Sequence, residues 1–293
     1  MSKITRSITS SGAAVCFAVD STEIVEKARK LHHLSPTMTA ALGRTLTAAS
    51  LMGIGLKNKT DSVTVRFCGD GDCHTMIATA DYMGNVRGYA SAPQLDLPPN
   101  AKGHLDVSGA IGKTGMLYVV KDIGLKEPYS GCVPFASGEI AEDITAYFAQ
   151  SEQIPTICAL GVLVGQDYSV KAAGGVLLQL LPFADEKTVT QLEANTASIP
   201  SITSMLSDGL KPQDMTDLFL KDIPHEFVDE YEVSYRCTCS RPFIRKMLVS
   251  LGENDLSQMA KDEHDTEIVC QFCNKKYTFT REEISRLLRD ATK

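Results

Sequence analysis

The sequence contains two close cysteine pairs, Cys237-Thr238-Cys239 and Cys270-Gln271-Phe272-Cys273, which 30 residues separate in a chain of 293. Each pair is local, so folding must bring the two pairs together. Four thiolates that meet in this way form a tetrahedral site, and Zn²⁺ is its usual occupant in proteins. The sequence therefore predicts one Zn²⁺ per chain in the reduced state, held by Cys237, Cys239, Cys270 and Cys273.

The residues after the second pair support a metal-binding turn. Asn274 follows Cys273 directly, and asparagine adopts the left-handed backbone conformation more readily than most residues. Such a turn would direct backbone N–H groups at the sulfurs. Tyr277 and Phe279 then alternate with polar residues, which predicts a short strand.

Two interpretations of the site remain open from the residues alone. One is a structural zinc ribbon that only stabilises a small domain. The other is a redox switch, because oxidation converts thiolate ligands to disulfides, which bind metal poorly. The C-x-C spacing of the first pair is unusual in a structural ribbon, where C-x-x-C is the norm, and this favours the switch.

Four further stretches accompany the cysteine pairs: Ala40–Thr45, Val119–Asp122, Ser151–Pro155 and Ala172–Gly175. Together with the cysteine spacing they resemble the 33-kDa chaperonin family, the redox-regulated heat-shock chaperones of bacteria, over essentially the whole chain. The resemblance implies a holdase that is off when reduced and zinc-bound and is activated by oxidative disulfide formation with zinc release. It also implies unfolded or partially folded client proteins as partners, and a homodimer on activation.

Composition narrows the class of protein. Apolar residues make up 43% and charged residues 22%, which is ordinary for a globular protein. The net charge of −7 argues against a nucleic-acid partner. Nine widely spread cysteines do not form a secreted disulfide framework, and the longest apolar runs are too short for a membrane span. We therefore expect a cytoplasmic protein. No catalytic motif is present, so we expect no enzyme.

The predicted fold class is α+β, with an N-terminal domain of mixed sheet and helix over residues 1–182. Ile4 to Val19 is predicted as one strand. A buried helix is predicted from the Ser35 cap to about Leu56, followed by alternating strands. Ser137 is predicted to cap a further helix, and a hairpin closes the domain. Three other cysteines lie in apolar strand-like contexts and are predicted to be buried: Cys16, Cys132 and Cys158.

Residues 183–232 are predicted to form an acidic, helical linker region. Between Asp185 and Glu232 there are 11 acidic residues and three lysines. Breaks at Pro200, Gly209 and Pro224 divide this segment into short helices, each with an apolar stripe. Such short helices cannot bury their stripes alone. We predict a segment that docks on a neighbour and undocks from it, although a simple linker is the alternative.

Residues 233–293 are predicted to form a small zinc-binding redox-switch domain. Its helices are predicted to begin at Ser240, at Asn254 or Asp255, and at the capping box Thr280–Glu283. A domain of roughly 60 residues seldom has a sufficient core, and a metal commonly supplies the deficit.

The combined hypothesis is that this domain and the acidic helices cover apolar surface, which oxidation exposes for client binding without ATP. Oxidation is predicted to join Cys237 to Cys239 and Cys270 to Cys273, because effective concentration favours the near partner. The alternative is a constitutive zinc-ribbon protein that acts in nucleic-acid or protein assembly.

Overall fold

The computed structural model describes residues 1–182, 184–262 and 264–291, and the chain divides into two units between Arg236 and Cys237. In chain order, the elements of the first unit are β1 (Ser2–Thr9), β2 (Ala14–Asp20), α1 (Thr22–His32), α2 (Pro36–Gly53), β3 (Ser62–Gly69), β4 (Thr75–Asp81), β5 (Val86–Ala90), α3 (Val107–Ile111), β6 (Gly115–Asp122), β7 (Tyr129–Pro134), α4 (Ala141–Tyr147), a π-helical turn (Phe148–Glu152), β8 (Thr156–Val164), β9 (Val170–Leu180), α5 (Glu186–Ser198), α6 (Ile202–Ser207), α7 (Pro212–Phe219) and β10 (His225–Val233).

Two five-stranded antiparallel sheets form the frame of the first unit. Sheet A has the strand order β10-β1-β2-β9-β8, and sheet B has the order β5-β4-β3-β6-β7. Helix α2 lies against both sheets, and one apolar core joins them. That core includes Phe17 of sheet A, Leu42 and Leu46 of α2, and Val65 and Phe67 of sheet B. The predicted α+β class is confirmed.

Helix α2 begins and is buried as predicted. The Ser35 side chain accepts a hydrogen bond from the Met38 backbone N–H, which caps the helix. Helix α2 is apolar on nearly every face because sheet A and sheet B both pack against it. Gly53 allows the close approach to sheet B, since a Cβ there would lie 2.5 Å from the Asp81 carbonyl oxygen.

The prediction of one strand from Ile4 to Val19 is wrong, because this stretch is a hairpin of β1 and β2. The unbroken run Ser10-Ser11-Gly12 forms the turn between the two strands. The turn is closed by the Thr9 hydroxyl, which accepts hydrogen bonds from the backbone N–H groups of Ala13 and Ala14. Gly12 has a φ of 70° there, a left-handed conformation that glycine adopts without strain.

The prediction that Ser137 caps a helix is also wrong. Helix α4 has Ile140 at its N-cap. The buried Asp143 side chain organises the loop before it by accepting the backbone N–H groups of Ala136, Ser137 and Gly138. No side chain of the described residues caps the helix, and the Ser137 hydroxyl accepts the Glu139 backbone N–H within the preceding loop.

The acidic segment forms three short helices, α5, α6 and α7, as predicted. They cover the outer face of sheet A, by which we mean the outward apolar side chains of β2 and β9: Ala14, Cys16, Ala18, Val176 and Leu178. The buried helix residues on this face are Leu192, Ile202, Met205, Met215 and Phe219. As expected, the apolar stripes of the three helices are buried against another element, here the outer face of sheet A. The segment lies within the first unit, and its independent behaviour stays a prediction.

The end of the acidic segment is a strand, which corrects the prediction of helix as far as residue 232. Strand β10 pairs antiparallel with β1 from Ser2↔Val233 to Thr9↔His225. The chain then continues along β5, where Tyr235 forms a parallel bridge with Val86. The last residues before Cys237 therefore contact both sheets.

The second unit contains α8 (Arg241–Ser250), α9 (Glu253–Lys261), β11 (Thr266–Val269), β12 (Lys276–Phe279) and α10 (Arg281–Ala291). The Ser240 cap of α8 is confirmed, since its hydroxyl accepts the Phe243 N–H. The capping box is also confirmed by reciprocal hydrogen bonds between Thr280 and Glu283. The predicted cap of α9 is wrong, because Gly252 precedes that helix with a φ of 94°.

Candidate metal centre

The four cysteines of the two pairs meet at one point in the second unit. The sulfur atoms of Cys237, Cys239, Cys270 and Cys273 all lie within 4.8 Å of one another. Across the pairs, the Cys237 and Cys270 sulfurs are 3.8 Å apart and the Cys239 and Cys273 sulfurs are 3.3 Å apart. A tetrahedral Zn²⁺ with Zn–S bonds of about 2.3 Å separates its sulfurs by about 3.8 Å. The donor set and its spacing therefore fit a metal ion of this kind.

The second pair is held by a tight turn at the end of β11. The Cys270 carbonyl oxygen accepts the backbone N–H groups of Cys273 at 3.2 Å and of Asn274 at 2.7 Å. Asn274 has a φ of 54°, so the predicted left-handed residue is confirmed. The Cys270 N–H donates to the Lys275 carbonyl, which returns the chain into β12.

Hydrogen bonds and burial make the pKa values of Cys237, Cys239 and Cys273 unequal. Burial acts to raise the pKa of Cys239, but hydrogen bonds from the Tyr277 hydroxyl, at 3.2 Å, and from the neighbouring thiols lower this pKa to about 7. Burial raises the pKa of Cys237 and Cys273. The backbone N–H groups of Cys239 and Lys275 partly offset that effect. Without a metal, Cys239 therefore ionises most readily of these three.

Sequence reasoning missed the role of Tyr277, which was predicted only as a strand residue. Its ring is buried and its hydroxyl reaches the Cys239 sulfur. A hydroxyl that donates to a ligand sulfur in this way orients and stabilises the ligand. The signal was the alternation itself, since Tyr277 and Phe279 share the buried face of β12.

A small core surrounds the site. Its buried members are Ile244, Leu248, Leu256, Tyr277, Phe279, Ile284 and Leu287, with Cys239 and Cys270 packed against them. Arg241 connects the starts of α8 and α10, because its guanidinium lies 4.3 Å from the centre of the Phe279 ring and donates to both Glu283 oxygens at 2.8 Å. This is a small apolar core for a unit of 57 residues, Cys237–Lys293.

The three other cysteines that were predicted to be buried differ in their exposure. Cys16 is buried on the outer face of sheet A, and burial raises its pKa to about 12. Cys158 is half-buried. Cys132 is exposed, contrary to prediction, because it lies on the solvent side of β7. Among the described residues, the Cys237 cluster alone groups three or more histidine, cysteine or acidic ligands around one point.

Comparison with known proteins agrees with this fold. The family model described as Hsp33 protein matches residues 2–280. A 33 kDa chaperonin of Clostridioides difficile (strain 630) is 43% identical, with 98% of each chain covered. A 33 kDa chaperonin of Agathobacter rectalis is 46% identical, with 92% of this chain and 94% of the relative covered. The crystal structure of a 33 kDa chaperonin (heat shock protein 33 homologue) from Thermotoga maritima superposes with a TM-score of 0.89 at 38% identity, over 99% of this chain and 98% of that one.

A two-unit α+β chain with a four-cysteine centre, similar over its whole length to chaperonins, defines a chaperone. The chain belongs to the Hsp33 family. Within the part of the chain that the structure describes, no helix has both the length and the apolar character needed to cross a bilayer.

Proposed function

We propose that this chaperone is a redox-regulated holdase, held off by bound Zn²⁺ and switched on when its four clustered cysteines are oxidised. The observation that carries the proposal is the meeting of four thiols in a small second unit, two of them at its first residues. The activated protein would bind unfolding or oxidatively damaged proteins during stress and prevent their aggregation. The proposed cycle contains no catalytic step and uses no ATP.

Zinc is the proposed ion, one per chain in the reduced state. Four thiolate ligands at tetrahedral spacing suit Zn²⁺ better than harder ions such as Mg²⁺ or Ca²⁺. In small domains the apparent binding free energy of about 10–16 kcal/mol is also folding free energy. A reducing cytoplasm would keep the thiols available and the site loaded.

Oxidation is the proposed switch. An oxidant such as peroxide takes two electrons for each disulfide formed, and each bond consumes two metal ligands. We expect Cys237–Cys239 and Cys270–Cys273 as the final bonds. In the folded site, sulfurs of different pairs already lie 3.3 and 3.8 Å apart, so bonds between the pairs compete with the expected ones. The expected pairing therefore requires that the metal leaves and the segment unfolds before the second bond closes.

Chain continuity provides the route from the metal centre to the first unit. Residues 234–236 form two backbone hydrogen bonds with Val86. The Val86 N–H donates to the Ser234 carbonyl at 3.0 Å, and the Val86 carbonyl accepts the Arg236 N–H at 2.9 Å. The Ser234 hydroxyl also donates to the Asn85 side chain. Unfolding that starts at Cys237 would reach these bonds first and then β10.

The proposed client surface is the outer face of sheet A. Helices α5, α6 and α7 are short, and their attachment to this face is not uniformly apolar. Beside the apolar patch, β1 presents the buried hydroxyls of Thr5 and Ser7 towards α7, and the Thr5 hydroxyl has no hydrogen-bond partner among the described residues. Unsatisfied buried polar groups weaken such packing. Undocking would expose apolar side chains, and we expect the activated chains to form homodimers.

The experiment that tests the proposal measures client aggregation by light scattering at mild heat. One sample of the protein is kept reduced and zinc-loaded, and another is treated with peroxide that catalase then removes. We expect suppression only after oxidation, together with release of one Zn²⁺ per chain. Equal suppression in both samples would contradict the switch and support a constitutive zinc-ribbon protein.

A further inference from the structure

Strand β10 is held on sheet A mainly through its backbone. It pairs with β1 over eight register positions, and of its nine side chains only the buried Val233 and the half-buried Tyr231 pack against the core. Phe227 and Val228 are 53% and 45% exposed. A strand attached in this way gains little from the identity of its side chains, since the ladder hydrogen bonds are the same for any sequence.

Charge is the exception, because β1 is basic where β10 is acidic. The Lys3 ammonium lies 2.6 Å from a Glu230 carboxylate oxygen, and the Arg6 guanidinium contacts Asp229. Strand β10 carries four acidic residues, Glu226, Asp229, Glu230 and Glu232. These pairs are partly exposed, so they bias partner choice more than they add stability.

The pairing is also imperfect. The register shifts between Arg6 and Ser7, and Val228 is left without a partner. Such a bulge interrupts the ladder. At the same place the Arg6 Nε and one Asp229 carboxylate oxygen are buried without a hydrogen-bond partner among the described residues. The middle of the pairing is therefore its weakest part, and another strand could replace β10 with little loss.

We propose that β1 is a client-binding edge: once β10 has left, β1 pairs with an extended segment of an unfolded polypeptide and prefers one with acidic residues opposite Lys3 and Arg6. This inference rests on the proposed function, because it needs activation to free β10. Strand addition suits a chaperone, since backbone hydrogen bonds accept many sequences while side chains supply only a preference.

The edge complements the outer face of sheet A. Ser7 and Thr9 of β1 border the apolar side chains of β2 on that face. A client segment paired with β1 would continue sheet A, and its alternate side chains would extend the same surface. This preference would also discriminate between client segments, because Lys3 and Arg6 attract acidic segments and repel basic ones.

The test uses full-length oxidised protein and two fluorescent peptides. One has the sequence of residues 225–233, and the other has lysine at its four acidic positions. We expect the acidic peptide to bind about fivefold more tightly at low salt, the scale of two partly exposed ion pairs, and the difference to shrink as salt rises. The double variant Lys3→Glu/Arg6→Glu should invert the preference. The matched variant Lys171→Glu, which removes an exposed ion pair on β9, should keep it.

A second measurement does not depend on how the double variant folds. A photo-crosslinking benzoylphenylalanine in place of the exposed Lys3 should attach to an unfolded client after oxidation and to residues of β10 before it. Three results would each contradict client binding at β1. They are equal affinities for the two peptides, an unchanged preference in the double variant, and crosslinks only to β10 of the same or a second copy. If any of these results is obtained while oxidised protein still suppresses aggregation, client binding at β1 is wrong and the proposed function is retained. If suppression is also absent, both proposals are wrong.

Discussion

Replacing Cys270 with serine should reduce the bound zinc from one ion per chain to almost none and leave residues 237–293 largely unfolded. A serine hydroxyl is a poor zinc ligand, and three thiolates would hold the ion weakly. Metal binding in small domains is worth about 10–16 kcal/mol of apparent folding free energy. The core around Phe279 and Leu256 is too small to replace it. Zinc content after gel filtration and limited proteolysis measure the two effects.

The control for this variant is Cys132→Ser. Cys132 is an exposed thiol on β7 and belongs to no metal cluster among the described residues. The control should keep its zinc and its protease resistance. If Cys270→Ser kept both as well, the ligand set assigned to the metal centre would be wrong.

Replacing Phe219 with alanine should activate the chaperone without an oxidant and without loss of zinc. Phe219 is 1% exposed and lies where α7 meets the outer face of sheet A. Truncation of a buried phenylalanine typically destabilises by about 3–5 kcal/mol, which is large against the few buried side chains that hold these helices. We expect helices α5–α7 to undock in the reduced protein, and client aggregation to be suppressed.

Leu125→Ala is the matched control, because Leu125 is 62% exposed and its truncation removes little buried surface. Like the wild type, it should keep helices α5–α7 docked in the reduced protein and should not suppress client aggregation without an oxidant. Reduced Phe219→Ala protein that stays inactive, with its helices demonstrably undocked, would show that this face does not bind clients.

Local signals were sufficient for the four-cysteine cluster. Two close pairs of cysteines identify its members without any knowledge of the fold, and Asn274 marks the turn between the second pair and β12. The capping box at Thr280 and the start of α2 at Ser35 are equally local, since each hydrogen bond joins residues three apart. Features of this kind are readable from sequence because the interacting groups are neighbours in the chain.

Features that depend on distant partners were not readable. Strand β10 is rich in acidic residues, which disfavour strands on their own. It forms because its backbone pairs with β1, more than 200 residues away, where Lys3 and Arg6 also neutralise Glu230 and Asp229. Helix α3 has only five residues and was missed. A close approach fixes it, since a Cβ on Gly71 would lie 2.5 Å from the Ala110 carbonyl oxygen. Exposure of Cys132 likewise depends on which face of sheet B is covered.

The most direct test of the account is amide hydrogen exchange across α5, α6 and α7, measured on one sample before and after peroxide. The same sample is assayed for zinc and for suppression of client aggregation. We predict that protection over residues 186–219 falls steeply as zinc is released and activity appears, while α2 stays protected. Unchanged protection in these helices, in a sample shown to be active, would contradict the claim that oxidation exposes the outer face of sheet A.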